Sequence, residues 1–287
     1  MWGNEFMIGK HLNFSVMALV RCIIATVVTF LAGSSFSPVV AQEQTQSTFA
    51  LPIELEGDYG APNGNALFLR FMPLWQTTIR EKWSLVHLDL VTFADAPPLP
   101  GSPINPEPVP GGVATGLSDL FHMTFYTPKS TGKFTWGVGG MVSVPTATDD
   151  ALGSGKWNLG PAVRITYRGD FWTIGAIAGQ RWSIAGSSNR ADVNSLMIRG
   201  IFRRPLGSGW FFISAPIVSA NWNSSSGNRW LMPVGGGIGK TMQVGNRKWA
   251  ASVQAYANIL KPEGAPDWSL RFALVAPVPK QWFKGGD

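Results

Sequence analysis

Alternation with a period of two runs through the chain beyond residue 48, and no other feature narrows the possible folds as much. In 248–260, Trp249, Ala251, Val253, Ala255, Ala257 and Ile259 fall on one parity, and Lys248, Ser252, Gln254, Tyr256 and Asn258 on the other. Segments 157–168, 171–184 and 268–276 repeat this pattern, and 49–59, 65–77, 82–93, 117–127, 133–144, 193–204, 209–221 and 229–242 are compatible with it. Successive side chains of a strand point to opposite faces, so the spacing predicts twelve strands, each with one apolar face. Short connections near 78–81, 128–132, 169, 205–208 and 243–247 alternate with longer ones at 94–116, 145–155, 184–192, 222–228 and 261–266. An up-and-down antiparallel order, with long loops at one end and short turns at the other, follows from that alternation.

Such strands build either a soluble sandwich, apolar inside and charged outside, or a membrane barrel with the reverse arrangement. Charged residues are 14% of the chain, against about 25% in soluble domains. The polar parity is mostly Gly, Ser, Thr and Asn, and its sparse charges are nearly all arginine: Arg164, Arg181, Arg199, Arg203 and Arg271. A basic side chain facing lipid at the bilayer midplane costs about 2–4 kcal/mol, which assigns this parity to a lumen. Trp157 and Tyr167 bracket one apolar face and Trp172 and Trp182 another, each pair ten residues apart. At about 3.3 Å per residue and a tilt near 40°, ten residues rise roughly 25 Å, the height of the apolar band between two aromatic girdles. Trp230, Trp249 and Trp268 lie near strand starts and join the expected girdle. The predicted fold class is all-β: a transmembrane up-and-down antiparallel β-barrel of about twelve strands, in contact with outer-membrane lipid.

Residues 1–41 read as a cleaved signal peptide: Lys10 and Arg21 precede the apolar run 22–32, and Val39-Val40-Ala41 supplies small residues before Gln42. Translation starts at Met1 or Met17. The expected organisation is a linker at 42–48, a barrel at 49–277 and a polar tail at 278–287, in the bacterial outer membrane with both termini in the periplasm. Cys22, the single cysteine, lies in the signal, so cysteine-based zinc, disulfide and thiol chemistry are excluded from the mature chain. The mature net charge of +5 is spread singly along the strands, and no nucleic-acid partner is expected.

Residues 96–112 contain seven prolines and cannot join a sheet ladder. This external loop either folds into the lumen as a constriction or stands as a semi-rigid surface excursion, and its composition favours the second. Gly153-Ser154-Gly155-Lys156 lacks the flanks of a phosphate loop and reads as a loop closing into a strand. With only His87 and His122 left after processing, and no metal-ligand spacing, neither a metal nor a cofactor is expected. No catalytic residue is assigned and the chain is read as a non-enzyme. Ser118 and His122 share one parity but lie about 13 Å apart, too far for a direct hydrogen bond.

Arg164, Arg181, Arg199 and Arg271 are the candidate pore-lining residues, since guanidinium groups around a narrow lumen attract anions and grip carboxylates. The same arginines serve equally well as partners of acids such as Glu54, Glu56 and Asp89, filling the barrel rigidly. The expected function is passive passage of small solutes, anionic ones by this argument. The alternatives are a closed barrel with a structural or surface-binding role, and a barrel lipase using His122. Oligomeric state is left open.

The stretches Gly116-Leu117-Ser118-Asp119-Leu120, Val144-Pro145-Thr146-Ala147-Thr148 and Leu152-Gly153-Ser154-Gly155-Lys156-Trp157-Asn158-Leu159-Gly160-Pro161, with the close Pro277-Val278-Pro279-Lys280, resemble the outer-membrane family of the meta-pathway of phenol degradation. The resemblance covers roughly 50–280 and departs in the proline-rich insertion and in the tail after Lys280. It implies a transporter-type barrel passing small, often aromatic compounds, and carries over no catalytic residue.

Overall fold

The computed structural model describes residues 49–129, 132–245 and 247–277, so the signal peptide, linker and tail expected at 1–41, 42–48 and 278–287 lie outside the described residues. Fifteen strand segments are described: β1 (Phe49–Tyr59), β2 (Ala66–Phe71), β3 (Leu74–Arg80), β4 (Trp83–Ala96), β5 (Ala114–Leu117), β6 (Leu120–Pro128), β7 (Phe134–Val144), β8 (Lys156–Arg168), β9 (Thr173–Gly186), β10 (Asn194–Gly207), β11 (Trp210–Ser214), β12 (Ile217–Asn221), β13 (Trp230–Val244), β14 (Arg247–Leu260) and β15 (Trp268–Pro277). Three pairs, β2/β3, β5/β6 and β11/β12, are single staves interrupted near Pro73, Ser118 and Pro216, which leaves twelve staves. All neighbours pair antiparallel, and β15 pairs β1 from Ala50↔Pro277 to Tyr59↔Trp268, closing the sheet into a barrel. The predicted strands and fold class stand.

The interruptions have local causes. Proline has no N–H for the ladder, so the sheet parts at Pro73 and Pro216. Between β5 and β6, residues 118–120 stand opposite only Val91 and Thr92, a bulge of one extra residue. The bulge reverses the alternation. Gly116 faces inward on β5, whereas Phe121, Met123 and Phe125 face inward on β6. Ser118, buried and bonded through its N–H to Thr92 O, is therefore inside while His122 is outside, which corrects their expected common face. At the tight turn between β10 and β11, Gly207, Ser208 and Gly209 all have positive φ, at 95°, 49° and 80°, a conformation glycine adopts without strain.

The distribution of side chains is that of an inverted soluble protein. Val234 and Ile238 on the outer face of β13 are 53% and 55% exposed, whereas Arg181 and Arg271 on the inner face are 2% exposed. Trp157, Trp182, Trp230 and Trp268 ring the end with the long loops, and Tyr167, Trp172 and Trp249 the end with the short turns. Trp83 stacks on Tyr126 with centroids 4.3 Å apart and meets Trp136 edge-on at 6.3 Å, adding to the second ring. At the long-loop end Tyr59 stacks on Trp268 at 4.4 Å.

Candidate functional site

The lumen is closed in two layers. The upper one is the proline-rich loop between β4 and β5, which dips inward and buries Leu99, Ile104 and Asn105; this corrects the favoured surface excursion. Its carbonyls face a physical problem, because seven prolines supply few N–H partners and buried carbonyls need donors. The wall provides them. Arg181 Nη2 donates to Pro103 O at 2.8 Å and Ile104 O at 3.0 Å, Ser219 Oγ to Gly101 O at 2.8 Å and Asn221 Nδ2 to Pro106 O at 3.4 Å, while the loop's own Asn105 Nδ2 donates to Ala151 O at 3.2 Å. Arg181 is held in turn by Ser195 Oγ at 2.8 Å and by the Phe121 ring, 4.6 Å below its guanidinium. Ile104 packs into a cluster with Val86, Phe121, Met123, Phe125 and Met141.

The lower layer is a set of ion pairs across the barrel. Arg199 on β10 reaches Glu54 on β1, and Arg271 on β15 bonds Glu56, with Glu54 3.8 Å away. Arg70 on β2 pairs with Glu56 at 3.1 Å. The ladder break at Pro216 turns the Ala215 peptide inward, where its carbonyl accepts from Arg271 Nη1 at 2.6 Å and its N–H donates to Tyr256 Oη at 2.7 Å. Between the layers lies a cavity of about 50 Å³ lined by Glu56, Asp58, Arg70, Pro103, Ser269 and Arg271, enough for a few waters.

Of the four predicted lumen arginines, Arg181 anchors the loop and Arg199 and Arg271 belong to the ion-pair layer. Arg164 also faces inward, on β8 beside Gly137, nearer the short turns, and joins neither layer. Glu54 and Glu56 pair as expected. Asp89 does not, for it points outward; both parities of 83–94 carry large apolar side chains, so alternation could not place it. Sequence reasoning missed Arg70, whose strand neighbour Glu54 is identifiable only from the register. Above the barrel, Asp119 accepts from Ser154 N and Ser154 Oγ, both at 2.8 Å, so the Gly153–Lys156 stretch is a loop fastened onto the bulge. Hydrogen bonds from Lys156 and Ser183 hold the Asp192 carboxyl, in the loop after β9, below its usual range.

A second polar group sits on the outer face. His122 Nδ1 lies 2.6 Å from Asp89 Oδ1 and its Nε2 2.7 Å from Thr124 Oγ1, which His87 Nδ1 also approaches at 3.0 Å. Trp75 stacks on His87 at 4.9 Å. Acid, imidazole and hydroxyl are ordered as in a nucleophilic relay. Their depth opposes lipid hydrolysis: Asp89 lies midway along its stave between Trp83 and Asp95, about 15 Å from the level of glycerol esters. His122→Ala is expected to leave phospholipid hydrolysis by the purified barrel at the detergent blank; activity lost with this variant would restore the lipase reading.

No protein-family model matches the chain, and no curated protein matches it. Solved structures do. An outer-membrane channel from Pseudomonas putida F1 superposes with a TM-score of 0.57 at 14% identity, over 84% of this chain and 99% of that one. LpxR from Salmonella typhimurium (TM-score 0.37, 10% identity, 79% and 99% covered) and a BenF-like porin from Pseudomonas fluorescens Pf-5 (0.23, 12%, 80% and 97%) match more distantly. The first establishes the fold as that of an outer-membrane β-barrel.

Proposed function

We propose that this chain is an outer-membrane channel for small solutes, closed at rest by its inward loop and by the ion-pair layer beneath it. The observation that carries this reading is the anchoring of the loop. It is tied to the wall by hydrogen bonds to its carbonyls, with no covalent link or ladder pairing among the described residues, so the upper closure is one that can be released. The barrel is exported through the cleaved signal 1–41 and sits with its long loops outside.

The lining supports a class of solute. One side of the lumen is apolar, with Phe121, Met123, Phe125, Met141 and Met197, and the other carries the paired carboxylates and guanidiniums. A small compound with an aromatic or aliphatic body and a carboxylate meets both walls favourably, its carboxylate exchanging with Glu54 or Glu56 on the arginines. This agrees with the motif resemblance to the phenol meta-pathway family and narrows the anion expectation, because Arg199 and Arg271 are already neutralised. The refolded barrel in planar bilayers is expected to show small, flickering conductance and faster liposome uptake of benzoate than of glucose. Absence of both conductance and uptake overturns the channel and leaves a closed structural barrel.

A further inference from the structure

Strands β9 to β14 carry no aspartate or glutamate, yet Arg204 and Lys240 stand on their outer face near the short turns. The register fixes that face. Arg203 turns inward, its guanidinium 4.0 Å from the centre of the Phe211 ring and its Nη2 donating to Thr241 Oγ1 at 3.0 Å. Its neighbour Arg204 therefore lies outside, opposite Phe212, and Lys240 lies opposite Trp210 with its Nζ 5.1 Å from the indole. Trp210 and Phe212 are both exposed. Met242, two residues past Lys240, pairs with Trp249 of the lower aromatic ring, so the group sits at headgroup depth. We propose that Arg204 and Lys240 clamp the phosphate of a net-anionic phospholipid in the leaflet at the short-turn end.

One phosphate can meet both cations. Through Phe212, Arg204 aligns with Ile238 on β13, two residues before Lys240. Two strand spacings of about 4.8 Å and two residues of about 3.3 Å set the Cα atoms roughly 12 Å apart, a gap that the two long side chains close by leaning together. Arg204 makes no side-chain hydrogen bond or ion pair among the described residues, which leaves its guanidinium fork for a bidentate grip on phosphate oxygens, with the Lys240 ammonium adding a point charge. Trp210 and Phe212 lie between them as an apolar bed for the lipid's glycerol and upper acyl segments. At this depth in a bilayer the outer face meets lipid, so the choice that remains is the headgroup. A zwitterionic headgroup brings an ammonium that seeks a carboxylate, and β9 to β14 offer none; an anionic headgroup has no such need. The rest of that end agrees, since its described short turns bring Arg80, Lys82, Lys129 and Lys133 against only Glu81 and Asp170. The site is independent of whether the lumen opens.

The test is native mass spectrometry of the full barrel, released from detergent micelles doped with equal amounts of phosphatidylglycerol and phosphatidylcholine. The unmodified protein is expected to retain one phosphatidylglycerol about tenfold more often than phosphatidylcholine, the preference that two basic side chains at a headgroup support. Arg204→Gln combined with Lys240→Gln is expected to abolish that preference. Arg80→Gln combined with Lys129→Gln removes the same charge from other turns and is expected to leave it intact. All four side chains are at the surface, and heat modifiability on gels checks that both variants fold. Excess inorganic phosphate is expected not to displace the lipid, which its acyl chains also hold. Equal retention of the two lipids, a preference that survives loss of Arg204 and Lys240, one lost equally in both variants, or displacement by inorganic phosphate would each overturn the proposal.

Discussion

Replacing residues 99–110 with a short Gly-Ser linker is expected to raise single-channel conductance by roughly five- to tenfold, the largest functional effect anticipated for any change in this barrel. The segment fills the upper lumen with Leu99, Ile104 and Asn105. Its removal also strips Phe121, Phe125 and Met141 of their cover, so water enters beside an apolar wall. Arg181→Ala is expected to move conductance in the same direction by a smaller factor. It withdraws two hydrogen bonds from the loop but leaves those of Ser219 and Asn221. Recording both variants at matched voltage separates the two layers. Unchanged conductance after loop replacement would place the constriction in the ion pairs below.

The second large effect concerns stability. Arg271→Ala is expected to destabilise the folded barrel by about 3 kcal/mol, because it breaks a buried ion pair with Glu56 and leaves the inward Ala215 carbonyl without its donor. Arg271 is the hub of the lower layer: it bonds Glu56, lies near Glu54, donates to the Ala215 carbonyl and rests 5.0 Å from the Tyr256 ring. The paired change Glu56→Gln with Arg271→Met removes both charges together, leaves an amide oxygen as acceptor for Arg70 and is expected to cost less than Arg271→Ala alone. Denaturant unfolding in phospholipid vesicles, followed by tryptophan fluorescence, measures the difference. A loss below about 1 kcal/mol for Arg271→Ala would mean that water and Arg70 replace the lost bonds and that the layer is wet.

Much of this architecture is legible in the sequence because the deciding signal is local. Period-two patterning needs no knowledge of partners: it located the staves and set Arg164, Arg181, Arg199 and Arg271 on the parity that the strand register turns inward. What escaped it depends on pairing between strands. A bulge at 118–120 reverses alternation midway through one stave, and only the register with β4 exposes the extra residue. The loop at 97–113 carries a composition equally suited to an outside excursion, and its inward course is set by donors such as Arg181, 77 positions away in sequence from Ile104. Asp89 lies in a segment apolar on both parities, so its side was undetermined until His122 was placed beside it.

The seam between β1 and β15 joins the two extremes of the described chain by ten consecutive residue pairs. Neither strand can complete its ladder before the other is present, so membrane insertion cannot finish stave by stave as synthesis proceeds. A polypeptide arrested before Trp268 would present two raw edges of amides to hydrocarbon, where each unmet group is penalised by several kcal/mol. Quality control therefore needs to inspect a single feature, whether the circle has been sealed.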